Sequence, residues 1–208
     1  MNSAQLLKSG AQQLQLSINE SQIQALLHYV ELLQKWNKTY NLTAIEATDE
    51  IIRKHILDSL SLVPYLNGSR VFDVGSGAGL PGIPLAIVCK DKQFLLLDAS
   101  VKKTRFIQQA IIEVRLNNVQ VVQQRVERYA PQHEFDTVVS RAFASSEKLF
   151  ASTDHLLTQG QFILMLGKQT HLQELPDCYV LVGVYAVQIP GLQASRHIAV
   201  VEKQMGHG

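Results

Sequence analysis

Between Glu20 and Lys38 the apolar residues Ile23, Leu26, Leu27, Val30 and Leu33 recur about every 3.6 positions, the stripe of an amphipathic helix. A second helix is predicted from Asp49 to about Leu66, capped by Thr48 or Asp49 and stopped by Asn67-Gly68. Its inward face is expected to carry Ile52, Ile56, Leu60 and Val63. From Arg70 onward the pattern changes to short apolar runs alternating with helical periods. Strands are predicted at Arg70–Val74, Gln93–Asp98, Val119–Gln123, Phe135–Ser140 and Gln161–Leu166, with helices at Pro81–Lys90, Val101–Leu116 and Ser146–Leu157. Pro81 suits a first helical position, where its missing N–H costs nothing. Strand–helix alternation of this kind predicts an α/β fold with a parallel, doubly wound sheet. The runs Cys178–Ile189 and Ile198–Val201 have little helix between them and predict an antiparallel hairpin at one sheet edge. Residues 1–67 then form a helical extension packed on a sheet domain of residues 68–208.

Composition narrows the class without choosing a function. The 208 residues are 46% hydrophobic and 18% charged, ordinary for a globular chain. The longest apolar run, Ile83 to Cys89, falls far short of the ~20 residues that span a bilayer. The N-terminus lacks the apolar stretch of a signal peptide. Two cysteines, Cys89 and Cys178, make neither a disulfide framework nor a metal quartet, and both are expected to be buried packing residues. A cytoplasmic monomer is the expectation, and no metal is called for. A net charge of +1 means that any basic face must be local.

The stretch FDVGSGAGLPGIPLAIV, residues 72–88, follows the first predicted strand. Ligands of such sheets sit beyond the carboxyl ends of the strands, so this turn is the place to look. Gly77, Gly79 and Gly82 satisfy the dinucleotide pattern G-x-G-x-x-G. Counted from Gly75, the first glycine after the strand, the third position falls instead on Leu80. The series Asp73, Gly75, Gly77, Gly79 fits a cofactor that carries an α-ammonium group, because an acid two residues before the first glycine repels a pyrophosphate. S-adenosylmethionine has that ammonium group and a ribose, whose hydroxyls Asp98 can accept at the end of the second strand. The loop is therefore expected to hold a methyl donor.

The fourth strand ends in VVSRAFAS, without the prolines of the turns common in exocyclic-amine methylation. Neither cysteine is well placed as the nucleophile that cytosine C5 chemistry needs. The strings LLQKWNKTYNLTAI, RKHILDSLSLVPYL, FDVGSGAGLPGIPLAI, LLLDASVKKTRFI, QRVERY and FDTVVSRAFAS, with ASRHIAVV in the tail, resemble the RsmG (GidB) family of bacterial small-subunit rRNA methyltransferases. The resemblance implies a Rossmann-like S-adenosylmethionine-dependent fold and methylation of guanine N7 at position 527, in the 530 loop of 16S rRNA. It implies donor contacts from Gly75, Leu80, Val126, Glu127 and Arg141, the last at the boundary of donor and RNA.

N7 attacks through an in-plane lone pair and loses no proton, so no general base is expected. Orientation then carries much of the catalysis. Arg141 is expected to position phosphate or guanine O6. Phe143 is a candidate for stacking on the target base, with core packing as its alternative. Lys102, Lys103, Arg125, Lys168, Arg196 and His197 are candidate RNA contacts, Arg196 and His197 through the tail resemblance. His55 and Asp58, three apart, either pair with each other or line the site. Other readings are a methyltransferase of another RNA, a small molecule or a protein, and a ribosome-binding factor with a vestigial donor pocket. A nicotinamide-dependent oxidoreductase is the least favoured.

Overall fold

A computed structural model describes residues 2–141, 146–157, 159–167 and 175–204. Strands β1 (Arg70–Val74), β2 (Gln93–Asp98), β3 (Val119–Gln123), β4 (Thr137–Ser140), β5 (Gly160–Leu166), β6 (Tyr179–Val187) and β7 (Arg196–Lys203) form one sheet, ordered β3-β2-β1-β4-β5-β7-β6. The first five are parallel, and β7 is antiparallel to both β5 and β6. The strand order reverses beside β1. The turns after β1 to β4 and the β6–β7 connection consequently all emerge at the carboxyl edge of the parallel strands.

Both faces of the sheet are covered, as parallel strands require. On one face, α5 (Gly82–Val88) and α6 (Val101–Val114) share a single core with the N-terminal helices α1 (Ser3–Gln13) and α2 (Glu20–Tyr40). On the other face, Phe150 of α7 (Ser146–Thr153), Phe162 and Tyr179 form an aromatic cluster, and Phe72 packs its ring on Tyr129 and Phe135 within the same core. Asn19 caps α2 through a reciprocal bond pair with Gln22.

Several boundaries differ from those the sequence pattern predicts. Helix α1 has no counterpart in that reading; Asn2 Oδ1 caps it, and Leu6, Leu7 and Ala11 are buried. The helix expected over residues 49–66 is segmented into α3 (Thr48–Ile51), a π-helical turn (Ile52–Leu57) and α4 (Asp58–Leu60), followed by a 3-10 turn (Val63–Tyr65). Pro64 explains the end at Leu60, since its ring opposes the carbonyl four residues earlier and its nitrogen donates no bond. Ala47, and neither Thr48 nor Asp49, is the N-cap, and it makes no side-chain bond; Thr48 Oγ1 instead accepts from Gln34 Nε2 at 3.0 Å. Pro81 is the N-cap of α5 and not its first residue, its carbonyl accepting from Leu85 N at 3.2 Å. Cys89 is buried and Cys178 only partly so.

Candidate active site

The backbone after β1 turns sharply because Gly75 and Ser76 both donate to the Leu97 carbonyl, at 2.8 and 3.1 Å. Holding that turn demands left-handed backbone at Gly75, Gly77 and Gly79, with φ of +69°, +59° and +82°. The three glycines have different surroundings. A Cβ on Gly75 would meet nothing within 4 Å, and one on Gly77 only the Gly75 carbonyl at 4.0 Å. On Gly79 it would lie 2.7 Å from Ile83 Cγ1. Gly75 and Gly77 therefore leave room for a ligand, whereas Gly79 leaves room for α5. Gly82, set aside in the sequence reading, is the close-packing glycine between α5 and the sheet: its Cβ would fall 2.7 Å from Asp73 Oδ2. Leu80 is buried in the core beside them.

Two carboxylates flank the turn. Asp98 Oδ2 accepts from Gly77 N at 2.9 Å, Oδ1 accepts from Ser100 N at 2.8 Å, and Lys103 Nζ stands 3.8 Å away. Asp73 is only 1% exposed. Its Oδ2 accepts from Gly82 N at 2.9 Å, while Oδ1 is buried without a partner. Burial pushes its pKa up to about 7 against the pull of these bonds and of Arg141. A buried oxygen with an unused lone pair fits a cationic donor group such as an ammonium. The open positions Gly75 and Gly77 follow Asp73 along the chain and Gly77 N bonds Asp98, an order that suits a ligand with an ammonium at one end and a ribose further on. The N-terminal helices close the turn from outside, where the buried Tyr29 hydroxyl donates to the Ala78 carbonyl at 2.6 Å.

Beside this cradle, at the end of β4, stands Arg141. Its Nη2 lies 2.8 Å from His55 Nδ1, and its Nη1 is buried without a partner. Burial lowers the arginine's pKa, and Asp58, Tyr29 and Asp73 oppose that. Arg196 Nε pairs with Asp58 Oδ1 at 3.3 Å. Burial raises the Asp58 pKa, and the two arginines counter it. His55 and Asp58 thus do not pair with each other: each takes an arginine from the sheet edge. Among the described residues the buried side-chain atoms without partners are Asp73 Oδ1, Ser140 Oγ, Arg141 Nη1 and His197 Nδ1. All four belong to residues at the carboxyl edge of the parallel strands.

Other predicted site residues lie at the same edge in different settings. Val126 is buried and Glu127 exposed in a 3-10 turn after β3, preceded by exposed Arg125. Lys102 Nζ donates to the Tyr40 carbonyl at 3.1 Å. Phe143 and Lys168 lie outside the described residues. Tyr29 carries no signal in the sequence because it acts through a contact across the fold, whereas the G-x-x-G spacing of Gly79 and Gly82 is the signal for the close-packing glycine.

A doubly wound sheet with this strand order, a glycine turn after β1 and an acid ending β2 defines the Rossmann-like methyltransferase class. Solved structures agree on the fold. A SAM-dependent methyltransferase from Aquifex aeolicus matches with a TM-score of 0.55 at 11% identity, over 74% of this chain and 93% of its own. Magnesium protoporphyrin IX methyltransferase from Synechocystis, solved with bound SAM, matches with a TM-score of 0.58 at 16% identity, over 90% and 99%. The family model for rRNA small subunit methyltransferase G matches residues 22–199, and the chain belongs to that family. Relatives named ribosomal RNA small subunit methyltransferase G share 46% identity in Nitrosococcus oceani, over 93% of this chain and 92% of the relative. In Shewanella frigidimarina the figure is 44%, over 98% and 100%.

Proposed function

We propose that this protein transfers the methyl group of S-adenosylmethionine to N7 of guanine 527 in the 530 loop of bacterial 16S rRNA, acting as a cytoplasmic monomer on RNA or the small subunit. The observation that carries the donor half is the open glycine turn between an orphaned buried carboxylate and a second acid. Family membership supports the rRNA half. Asp73 would hold the ammonium group through Oδ1, Asp98 the ribose hydroxyls, and Val126 with Glu127 the adenine side. The donor, when bound, supplies an electrophilic methyl group on a positively charged sulfur.

The chain's own residues orient and exclude. Gly75 and Gly77 admit the ligand against bare backbone, and Tyr29 with Leu80 keeps water from behind the turn. None of the groups at the end of β4 is a base suited to pH 7: burial and Arg141 push the His55 pKa down to about 4, and its ring accepts a bond from that cation. N7 needs none, having no proton to lose. Arg141 Nη1 is available to guanine O6 or a phosphate oxygen, and a planar guanidinium suits either. Lys102, Lys103 and Arg125, with the half-buried Arg196 and His197, would steer the RNA backbone.

Incubation with labelled donor and either small ribosomal subunits or 16S rRNA from cells lacking this modification tests the reading. Label should enter RNA as N7-methylguanosine, and Arg141→Ala should abolish it. Donor binding without RNA labelling would leave the fold assignment standing and remove the substrate.

A further inference from the structure

We propose that His55 is a positioning residue for the methyl transfer: it accepts a hydrogen bond from Arg141 Nη2 and so aims the unpartnered Nη1 arm at the acceptor. This rests on the reading of Arg141 given above. The contact is made possible by the π-helical turn Ile52–Leu57, where Asp58 N bonds back to the Arg53 carbonyl, five residues earlier. Such single turns inside α-helices are frequent at functional sites. Here the turn and the residue that follows it, Asp58, fan three side chains toward separate segments of the sheet edge. Arg53 Nη1 donates to the Pro190 carbonyl at 3.0 Å, His55 meets Arg141 at the end of β4, and Asp58 pairs with Arg196 at the start of β7.

The imidazole can play this part in one tautomer only. Arginine donates and never accepts, so Nδ1 must present its lone pair, and the proton sits on Nε2. Nε2 lies 2.8 Å from Thr43 Oγ1, a hydroxyl able to accept it. The Lys54 carbonyl also approaches Nδ1, at 3.1 Å, and would demand the opposite tautomer. The charged contact to Arg141 is shorter at 2.8 Å, and charge-assisted bonds are about twice as strong as neutral ones. Thr43 and His55 thus form a rigid bracket from the helical extension to one arm of a buried guanidinium, while the other arm has no partner among the described residues. A purely structural histidine would not explain why the orphaned Nη1 is held beside the donor cradle.

Long-range 15N–1H correlation spectra at pH 7 test the contact without reference to activity. His55 should be the Nε2–H tautomer, and its pKa should rise in Arg141→Ala, which removes the cation. An Nδ1–H tautomer, or a pKa unmoved in Arg141→Ala, would overturn the contact. Kinetics test the consequence. His55→Leu should lower kcat by roughly 10²-fold, the scale of a misaimed contact, with donor affinity close to wild type and a melting temperature lowered by the loss of the Arg141 Nη2 and Thr43 partners. His55→Asn, whose Oδ1 replaces the Nδ1 acceptor, should recover at least about tenfold of that loss. Equal activity of the Leu and Asn variants, or a loss confined to folding or donor affinity, would make His55 structural. If Arg141→Ala is fully active, the reading of Arg141 has failed; if it is inactive while His55→Leu is not, only this inference has.

Discussion

If Asp73 Oδ1 receives the donor's ammonium group, donor binding must expel a proton. Burial holds this carboxyl near pKa 7 in the free protein, against an ordinary 3.8. A cation placed against Oδ1 favours the ionised form and pulls the pKa down. The sign follows: the free protein holds more protons than the complex, so affinity strengthens as pH rises and levels off above pH 7. At pH 7 roughly half the free molecules are protonated, and binding releases roughly half a proton. At pH 5.5 only about 3% are ionised, so the affinity for S-adenosylmethionine falls roughly 15-fold between pH 7 and 5.5. His55, with its pKa pushed down to about 4, stays neutral across this window and leaves Arg141 in place. Isothermal titration calorimetry at several pH values, repeated in buffers of different ionisation enthalpy, measures both quantities. Asp73→Asn should lose both the proton release and the pH slope. A wild-type affinity that is flat from pH 5.5 to 7, with an enthalpy independent of buffer, would place the ammonium elsewhere and refute the role of Asp73.

The glycines of the turn should separate by phenotype. Gly75→Ala meets open space, so its stability cost is the left-handed strain of about 1–2 kcal/mol, while donor affinity falls roughly tenfold or more as a methyl enters the cradle. Gly79→Ala adds a clash with Ile83 to the same strain and should cost about 2–5 kcal/mol, read as a drop in thermal midpoint; the reverse ranking in stability would contradict the packing argument. Tyr29→Phe orphans the Ala78 carbonyl and should cost about 1–3 kcal/mol in urea denaturation, with donor affinity weakened because the turn loses its outer support. Asp98→Asn turns an amide N–H toward either Gly77 N or Ser100 N, so donor KM should rise roughly tenfold; an unchanged KM would detach Asp98 from the donor site.

The first three strands have the boundaries that the sequence predicts: β1 and β2 are buried parallel strands with contiguous apolar residues, whereas the partly exposed edge strand β3 shows through its β-branched Val119, Val121 and Val122. The glycine turn and its two acids were legible for a similar reason: left-handed backbone and an orphaned carboxylate impose residue types locally. The segmented helix was not legible. Its periodicity over Ile52, Ile56 and Leu60 is helical, and those three residues are buried as expected. Nothing in that pattern says that a π-helical turn opens within it, since the contacts that stabilise the turn come from Pro190, Arg141 and Arg196, far along the chain. For the same reason the three-residue spacing left open whether His55 and Asp58 pair with each other or line the site, and the fold gives each an arginine. Helix α1 escaped notice because its apolar face is narrow, with Leu6, Leu7, Gly10 and Ala11 buried among polar neighbours.

In the proposed function the cradle at the carboxyl edge delivers a methyl group to one guanine N7 in small-subunit rRNA. Reduction and aniline cleavage, which cut RNA at N7-methylguanosine, test it most directly on 16S rRNA recovered after incubation with the protein and S-adenosylmethionine. One new cut is expected, at position 527 in the 530 loop, absent with Arg141→Ala. Methyl incorporation without that cut, or with cuts scattered along the RNA, would contradict it.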